Sequence, residues 1–225
     1  MADQERIFLS SEGDRWYNRN KSLFDDRTSI ELRAPSILAE MYGLYPGSIL
    51  EVGCSNGWRL DEFRRKYGAK CFGVEPSDEA LKNGREIFPE ITLERGVVAQ
   101  IPFKEPCDLV VVNYVMHWVS RGELYRSIME IDRLVKDGGH LILGDFLPDI
   151  PCKTRYHHYT DETVYTYKMD YSALFTASVT YKEIARLCSD HGTKKFTPNA
   201  TSSRRGTCVL LKKFKEDFYP EVEIK

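Results

Sequence analysis

The chain has 225 residues, 42% of them hydrophobic, with 32 lysines and arginines against 34 aspartates and glutamates and a net charge of −2. That length suits one domain with additions and a sizeable core, and the near-zero charge excludes a global field that would gather nucleic acid or acidic membrane. No run approaches the ~20 apolar residues of a membrane span. None of the six cysteines forms a Cys-x-x-Cys pair, and Met1 to Arg6 leads into no long apolar run, so the expected setting is a reducing cytoplasm. The basic pairs Lys194-Lys195, Arg204-Arg205 and Lys212-Lys213 read as solvated surface.

Residues 1–26 are polar with interspersed aromatics, centred on Glu12-Gly13-Asp14-Arg15-Trp16-Tyr17-Asn18-Arg19-Asn20. An aromatic pair beside hydrogen-bonding side chains suits a flap over a ligand, with Tyr17 and Arg19 as its contacts; docking of Trp16 onto the core is the alternative. Residues 28–43 carry Ile30, Ala34, Ile37, Leu38 and Met41 at helical spacing. Thr28 or Ser29 caps the start, Gly43 the end, and Pro35 bends the middle.

After the turn Tyr45-Pro46-Gly47, the residues Ile49, Leu50 and Val52 read as a short buried strand. Gly53 to Gly57 make a tight turn, and Trp58 to Tyr67 has apolar residues at helical spacing. Strand, glycine turn and helix start together aim free backbone N–H groups at a ligand above the turn. The dinucleotide pattern Gly-x-Gly-x-x-Gly fails here, as does the P-loop. The pattern present is Glu51-x-Gly53-x-x-x-Gly57. It resembles the first motif of the class I S-adenosylmethionine (SAM) methyltransferases, with Ser55 where many members carry a glycine.

Lys70 to Glu75 is a second strand ending in an acid, and Ser77 caps the helix that follows. A carboxylate in that place can accept both hydroxyls of a ribose, and the resemblance implies that role for Glu75 on SAM, with Pro76 against the adenine. Ile91 to Glu94 is a third strand. It is followed by Gly96-Val97-Val98-Ala99-Gln100-Ile101-Pro102-Phe103. The resembling family commonly has Gly-Asp-Ala-x-x-Leu-Pro-Phe here, its Asp reaching the adenine amino group. Val97 stands in that position, so the contact is lost or comes from Gln100 or a backbone carbonyl.

Cys107 to Asn113 is an apolar run expected to be a strand buried on both faces. Arg121 to Val135 is an amphipathic helix, and His140 to Phe146 a fifth strand. The resemblance, which runs in order from about Ile49 to Asp145, places Asn113 near the methionine part of SAM and His117 and Trp118 near the methyl group or acceptor. It implies a cofactor set of Glu51, Gly53, Cys54, Ser55, Gly57, Glu75, Pro76, Val97, Val98, Asn113 and Trp118, with Tyr17 and Arg19 from the flap. Residues 147–178 break the alternation with Tyr156, His157, His158, Tyr159, Tyr165, Tyr167, Asp170, Tyr171 and Phe175. At that edge they form either a lid over the acceptor or an oligomer surface such as a homodimer contact. Thr180 to Cys188 reads as a last helix, 193–199 and 206–213 as a final strand pair, and the tail from Phe214 as loose.

The expectation is an α/β, three-layer Rossmann-like methyltransferase fold. Its seven-stranded, mostly parallel sheet ends in a C-terminal antiparallel pair, and residues 27–225 form the domain behind the 1–26 flap. The cofactor is SAM, leaving S-adenosylhomocysteine (SAH). No metal is expected, since no His, Asp or Glu cluster has ligand spacing. A hydroxyl or amine acceptor needs a base. The candidates are His117, which packing would also explain, then His157 and His158, with Asp145 to orient a base or bind the acceptor. The favoured acceptor is a small polar molecule, a sugar or nucleotide sugar methylated on oxygen. The alternatives are an RNA or protein methyltransferase and a non-catalytic SAM-binding scaffold.

Overall fold

The computed structural model describes residues 4–25, 29–215, 219 and 221–223. Met1 to Asp3, the proposed cap Thr28 and most of the tail beyond Lys215 lie outside the described residues. The chain opens with α1 (Gln4–Ile7), a π-helical turn (Phe8–Glu12), α2 (Gly13–Asn20) and α3 (Ser22–Asp25). Next come α4 (Ile30–Met41), β1 (Ser48–Val52), α5 (Trp58–Tyr67), β2 (Lys70–Glu75), α6 (Asp78–Ile87), β3 (Thr92–Arg95) and β4 (Cys107–Asn113). A 3₁₀ turn (Met116–Trp118) leads to α7 (Leu124–Leu134), β5 (Val135–Phe146), the hairpin β6 (Cys152–Arg155) and β7 (Tyr165–Lys168), α8 (Ser172–Thr176), β8 (Tyr181–Asp190), β9 (Lys195–Phe196) and β10 (Arg205–Lys213).

The main sheet runs β3-β2-β1-β4-β5-β10-β8-β9. The pairs β2–β3, β1–β2, β1–β4 and β4–β5 are parallel, and β10 is antiparallel to both β5 and β8. The middle strands are apolar on both faces because helices cover both. Ile49, Leu109, Val111 and Ile142 pack toward Leu38, Leu60 and Leu81 of α4 to α6. Their neighbours Leu50, Val110, Val112, Leu141 and Leu143 face Ile131, Leu134, Tyr171 and Phe175 on the other side. That two-residue alternation gives three layers from one hydrophobic run per strand. Each such side chain contributes roughly 1.5–3 kcal/mol by leaving water.

The strand order reverses between β1 and β4, since β1 leads to β2 on one side and β4 lies on the other. Open α/β sheets bind ligands at that crevice, beyond the carboxyl ends of the strands. Ser29 caps α4 through the Leu32 N–H at 3.5 Å and Ser77 caps α6 through the Ala80 N–H at 3.0 Å. α2 docks on α6: Asp14 accepts from the Ser77 hydroxyl at 2.6 Å, and Asn18 donates to Glu79 at 2.7 Å.

Three expectations are corrected. The helix over Thr180 to Cys188 is instead strand β8, because its backbone pairs with β10 from Tyr181 to Asp190; long-range pairing overrides a local spacing that suits either element. The last antiparallel pair is β8 with β10, and the only strand of the 193–199 stretch among the described residues is the short β9, which joins β8. The sheet therefore counts seven principal strands and this two-residue edge.

Candidate functional site

A cavity of about 1270 Å³ lies over the carboxyl ends of β1, β2, β4 and β5. A single drug-sized ligand fills roughly 300–1,000 Å³, so this cavity has room for a cofactor and a second molecule. Its floor is the turn after β1. Gly53, Ser55 and Gly57 all have left-handed backbones, with φ of +71°, +52° and +82°. At Gly53 a Cβ would lie 2.3 Å from the Val115 side chain, so no other residue fits there. Ser55 adopts the conformation that glycine adopts freely, at a cost of roughly 1 kcal/mol. Its N–H then points at the Glu75 carboxylate, 2.9 Å away.

Glu75 ends β2, is buried, and also accepts from the Ser77 N–H at 3.1 Å. Burial pushes its carboxyl up to about 7, against the two backbone N–H groups that favour the anion. Glu51, buried and paired with Arg59, is likewise pushed up by burial to about 7, with Arg59 opposing. Pro76, Cys54, Val97, Val98 and Asn113 line the same space. Three buried polar atoms among these lining residues have no hydrogen-bond partner: Glu51 Oε2, Ser55 Oγ and Asn113 Oδ1. All three atoms are shielded from solvent, and Asn113 Oδ1 is turned against Gly144.

Val97 lines the cavity beside Gly96 and Val98. One of the two substitutes expected for an adenine contact stands away from the cavity. Gln100 is exposed and outside the lining, and its backbone N–H donates to the Val97 carbonyl at 2.9 Å.

At the other end, the 3₁₀ turn after β4 brings His117 beside Asp145 at the end of β5. Both are buried. His117 Nδ1 lies 2.9 Å from Asp145 Oδ1, and Asp145 also accepts the backbone N–H groups of His117 at 3.0 Å and Phe146 at 2.7 Å. A carboxylate on Nδ1 fixes the tautomer with its lone pair on Nε2. His117 lines the cavity, framed by the rings of Trp118 at 4.7 Å and Phe146 at 5.1 Å between centroids.

Trp118 is held between Phe8 at 5.0 Å and Tyr156 at 4.6 Å. Gln4 donates to its carbonyl at 2.7 Å. His157 and His158 both line the cavity, with ring centroids 3.9 Å apart. They sit in the turn after β6 rather than on a strand, so adjacency does not send them to opposite faces. Burial, then the positive neighbours His157 and Arg19, lower the pKa of His158.

The first segment divides its residues differently from expectation. Trp16 and Arg19 line the cavity; Arg19 pairs with the buried Glu12. Tyr17 does not. It is 6% exposed, stacks on Phe24 and donates to Asn83 at 2.9 Å. Trp16 packs toward the same Phe24 ring, 6.3 Å between centroids, so it docks on the core as well as lining the cavity. Gly13, which the sequence did not single out, allows the contact: a Cβ there would lie 2.7 Å from the Phe8 carbonyl and 3.2 Å from the Ser77 N–H.

Sequence reasoning also missed Glu31. This buried residue of α4 accepts from the Tyr114 hydroxyl at 2.6 Å, Lys194 at 2.8 Å and His191 at 3.0 Å, all four lining the cavity. Burial alone would raise its pKa, but the hydrogen bonds from His191, Lys194 and Tyr114 outweigh it and hold the carboxyl at about 2. Tyr114 and Lys194 have φ of +57° and +58°, strain of the kind kept where surrounding contacts impose it.

Residues 50–143 match the family described as a methyltransferase domain. The match covers less than half of the chain, the stretch from β1 to β5. An uncharacterized methyltransferase of Alkaliphilus oremlandii is 24% identical over 153 residues, covering 64% of this chain and 68% of that protein. Another, of Synechocystis, is 27% identical over 116 residues, 51% of this chain and 55% of that protein. Among solved structures, the 1,6-didemethyltoxoflavin N1-methyltransferase of Burkholderia thailandensis superposes with a TM-score of 0.71 at 13% identity, covering 96% of this chain and 92% of that one. That likeness is one of fold, the Rossmann-like methyltransferase fold. The domain's matched span runs from Leu50 in β1 to Leu143 in β5 and contains both Glu75 and His117; Asp145 follows it by two residues. No helix among the described residues is long and apolar enough to cross a membrane.

Proposed function

We propose that the protein is a SAM-dependent methyltransferase that methylates a hydroxyl of a small polar acceptor, with sugars and nucleotide sugars as the favoured class. The observation that carries this reading is the pairing of His117 with Asp145 on the same cavity as Glu75 and the left-handed turn after β1. The protein of B. thailandensis, which has the same fold, is by name a small-molecule N1-methyltransferase, which supports a small acceptor.

In this reading Glu75 accepts the ribose hydroxyls, and Pro76, Val97 and Val98 form the apolar wall for the adenine. Asn113 and the β1 turn hold the methionine part. Bound there, the cofactor's sulfonium supplies an electrophilic methyl group. The task left to the protein is to place the acceptor in line and remove its proton. His117 Nε2 takes that proton, and Asp145 holds the ring through Nδ1–H and stabilises the imidazolium formed. Residues 4–25 act as a cap: Phe8, Trp16 and Arg19 close one side of the cavity. The 147–178 insertion is the acceptor lid, its hairpin lining the other side.

The test is calorimetry with SAM, SAH and NAD, followed by methyl transfer from labelled SAM to a panel of sugars and nucleotide sugars. Micromolar binding of the first two without NAD, and a methylated product of one acceptor, is the expected result. Binding of NAD alone would sink the cofactor assignment; a product formed only on amines would sink the hydroxyl.

A further inference from the structure

Among the described residues a third apolar cluster lies apart from the two that flank the sheet: Ile7, Tyr156, Tyr159 and Val164, with Trp118 packed against it. Ile7 ends α1, and the three others belong to the loop that joins β6 to β7. This small core is therefore shared by two segments far apart in sequence. A four-residue helix and a two-stranded hairpin are each marginal in water, so each draws its order from the other's surface.

Gln4 stitches the two segments together and ties both to the turn of His117. It is buried, and its side-chain amide makes three backbone hydrogen bonds. Nε2 donates to the Tyr165 carbonyl at 3.0 Å and to the Trp118 carbonyl at 2.7 Å, and Oε1 accepts the Tyr165 N–H at 2.9 Å. Only this orientation of the amide satisfies all three. Beside it, Glu5 accepts the N–H of Ser120 at 2.9 Å and its hydroxyl at 2.8 Å. The turn that carries His117 is thus held by α1 on one side and by Asp145 on the other, which takes the His117 N–H at 3.0 Å. Further along, the Tyr156 hydroxyl donates to the buried Glu12 at 2.8 Å and accepts from Arg19 at 2.5 Å. α2, which bears Arg19, belongs to the body of the fold: Asp14 and Asn18 bind α6, and Tyr17 lies in the core with Leu81.

We propose that residues 4–12 and the β6–β7 hairpin form one cooperative lid over the acceptor end of the cavity, with Gln4 as the positioning residue that couples this lid to the turn carrying His117. Both parts line the cavity, through Glu5 and Phe8 from the first and Tyr156 and Thr166 from the second. Local opening follows units that share their contacts rather than single segments. Lifting the hairpin breaks the Gln4 bonds and frees the Trp118 carbonyl in the same step. The lid stands without the methyltransferase reading; only its bearing on the base rests on that reading.

Hydrogen exchange followed by mass spectrometry on the full chain, with and without saturating SAH, tests it. Gln4→Ala is expected to speed exchange at least ~10-fold in residues 4–12, 152–168 and 116–120 together, while α2, β1 and β4 keep the wild-type rate and report that the chain is folded. Tyr156→Phe keeps the ring on Trp118 and removes the hydroxyl shared by Glu12 and Arg19; it is expected to speed both parts of the lid at least ~3-fold. In the wild type SAH slows both parts by the same factor. Acceleration confined to 4–12 in Gln4→Ala, with the hairpin at its wild-type rate, overturns the lid. Acceleration of both parts with 116–120 unchanged overturns the positioning role, since docking of α1 alone leaves that turn as it was. Coupled acceleration in the variants, without protection of the wild type by SAH, strikes the methyltransferase reading and leaves the lid standing.

Discussion

Removing the Glu75 carboxylate tests the cofactor end most directly. Each of its oxygens accepts one backbone N–H, from Ser55 at 2.9 Å and from Ser77 at 3.1 Å. A carboxylate has about four acceptor positions, so each oxygen keeps one for a ribose hydroxyl. Hydrogen bonds to a charged group contribute roughly 1.5–3 kcal/mol apiece. Two at the low end give about 3 kcal/mol, so Glu75→Ala is expected to weaken SAM binding by at least ~100-fold. Glu75→Gln keeps the shape but turns an amide N–H₂ toward the Ser55 or Ser77 donor, and it removes the titration.

That titration supplies a second readout. With the carboxyl pushed up to about 7, wild-type affinity for SAM rises by up to ~10-fold from pH 6 to pH 8 as the carboxylate forms. Stability of the free protein moves the other way. The folded pKa lies above the 4.5 of an unperturbed Glu, so the folded state holds the proton more tightly. This contribution is complete below pH 4.5 and is lost as pH rises to about 7. Calorimetry at four pH values on the wild type and both variants decides the matter. Affinity within about threefold of wild type in Glu75→Ala, roughly 0.7 kcal/mol, or an undiminished pH slope in Glu75→Gln, refutes the ribose role.

Asp145→Asn lets His117 Nδ1 lose its acceptor, and turnover of an accepted substrate should fall ~10²–10⁴-fold with SAM affinity retained; steady-state kinetics showing an unchanged rate would remove His117 as the base. Gly13→Ala drives a Cβ against the Phe8 carbonyl at 2.7 Å; thermal melts should register a loss of ~1–3 kcal/mol, together with weaker SAM binding if residues 4–25 cap the cofactor. Tyr17→Phe deletes the 2.9 Å bond to Asn83, costing about 1 kcal/mol in urea unfolding and leaving SAM affinity where it was, since the ring lies outside the cavity. Glu31 is held at about 2, below its ordinary 4.5; its contribution of about 3 kcal/mol is present above pH 4.5 and lost as pH falls toward 2. Urea unfolding of Glu31→Gln should show a flatter acid limb.

The β1 turn, the acid at the end of β2 and the apolar middle strands were legible because each is a local pattern: one strand, one turn, one cap. Asp145 was legible for the same reason, as the polar residue ending an apolar run. β8 was not, because Tyr181, Ile184, Ala185 and Cys188 satisfy a helical spacing and the deciding partner, β10, lies beyond the next turn. Glu31 and His191 are 160 residues apart, and nothing near Glu31 in sequence marks it as other than a surface position of an amphipathic helix. The pair Trp16-Tyr17 was visible as a signal but not as a division of labour, in which both dock on Phe24 and only Trp16 of the two lines the cavity.

The two ends of the cavity use the same side chain in opposite electrostatic states. Glu75 and Glu51 are buried among backbone groups and a single arginine, and desolvation wins, leaving both near 7. Glu31 is as thoroughly enclosed, yet an ammonium, an imidazole and a phenol converge on it and the anion wins, near 2. At neutral pH the first pair sits where a ligand's hydrogen bonds tip the balance toward charge, whereas Glu31 is already fixed and serves to pin Tyr114 and the turn bearing His191 and Lys194.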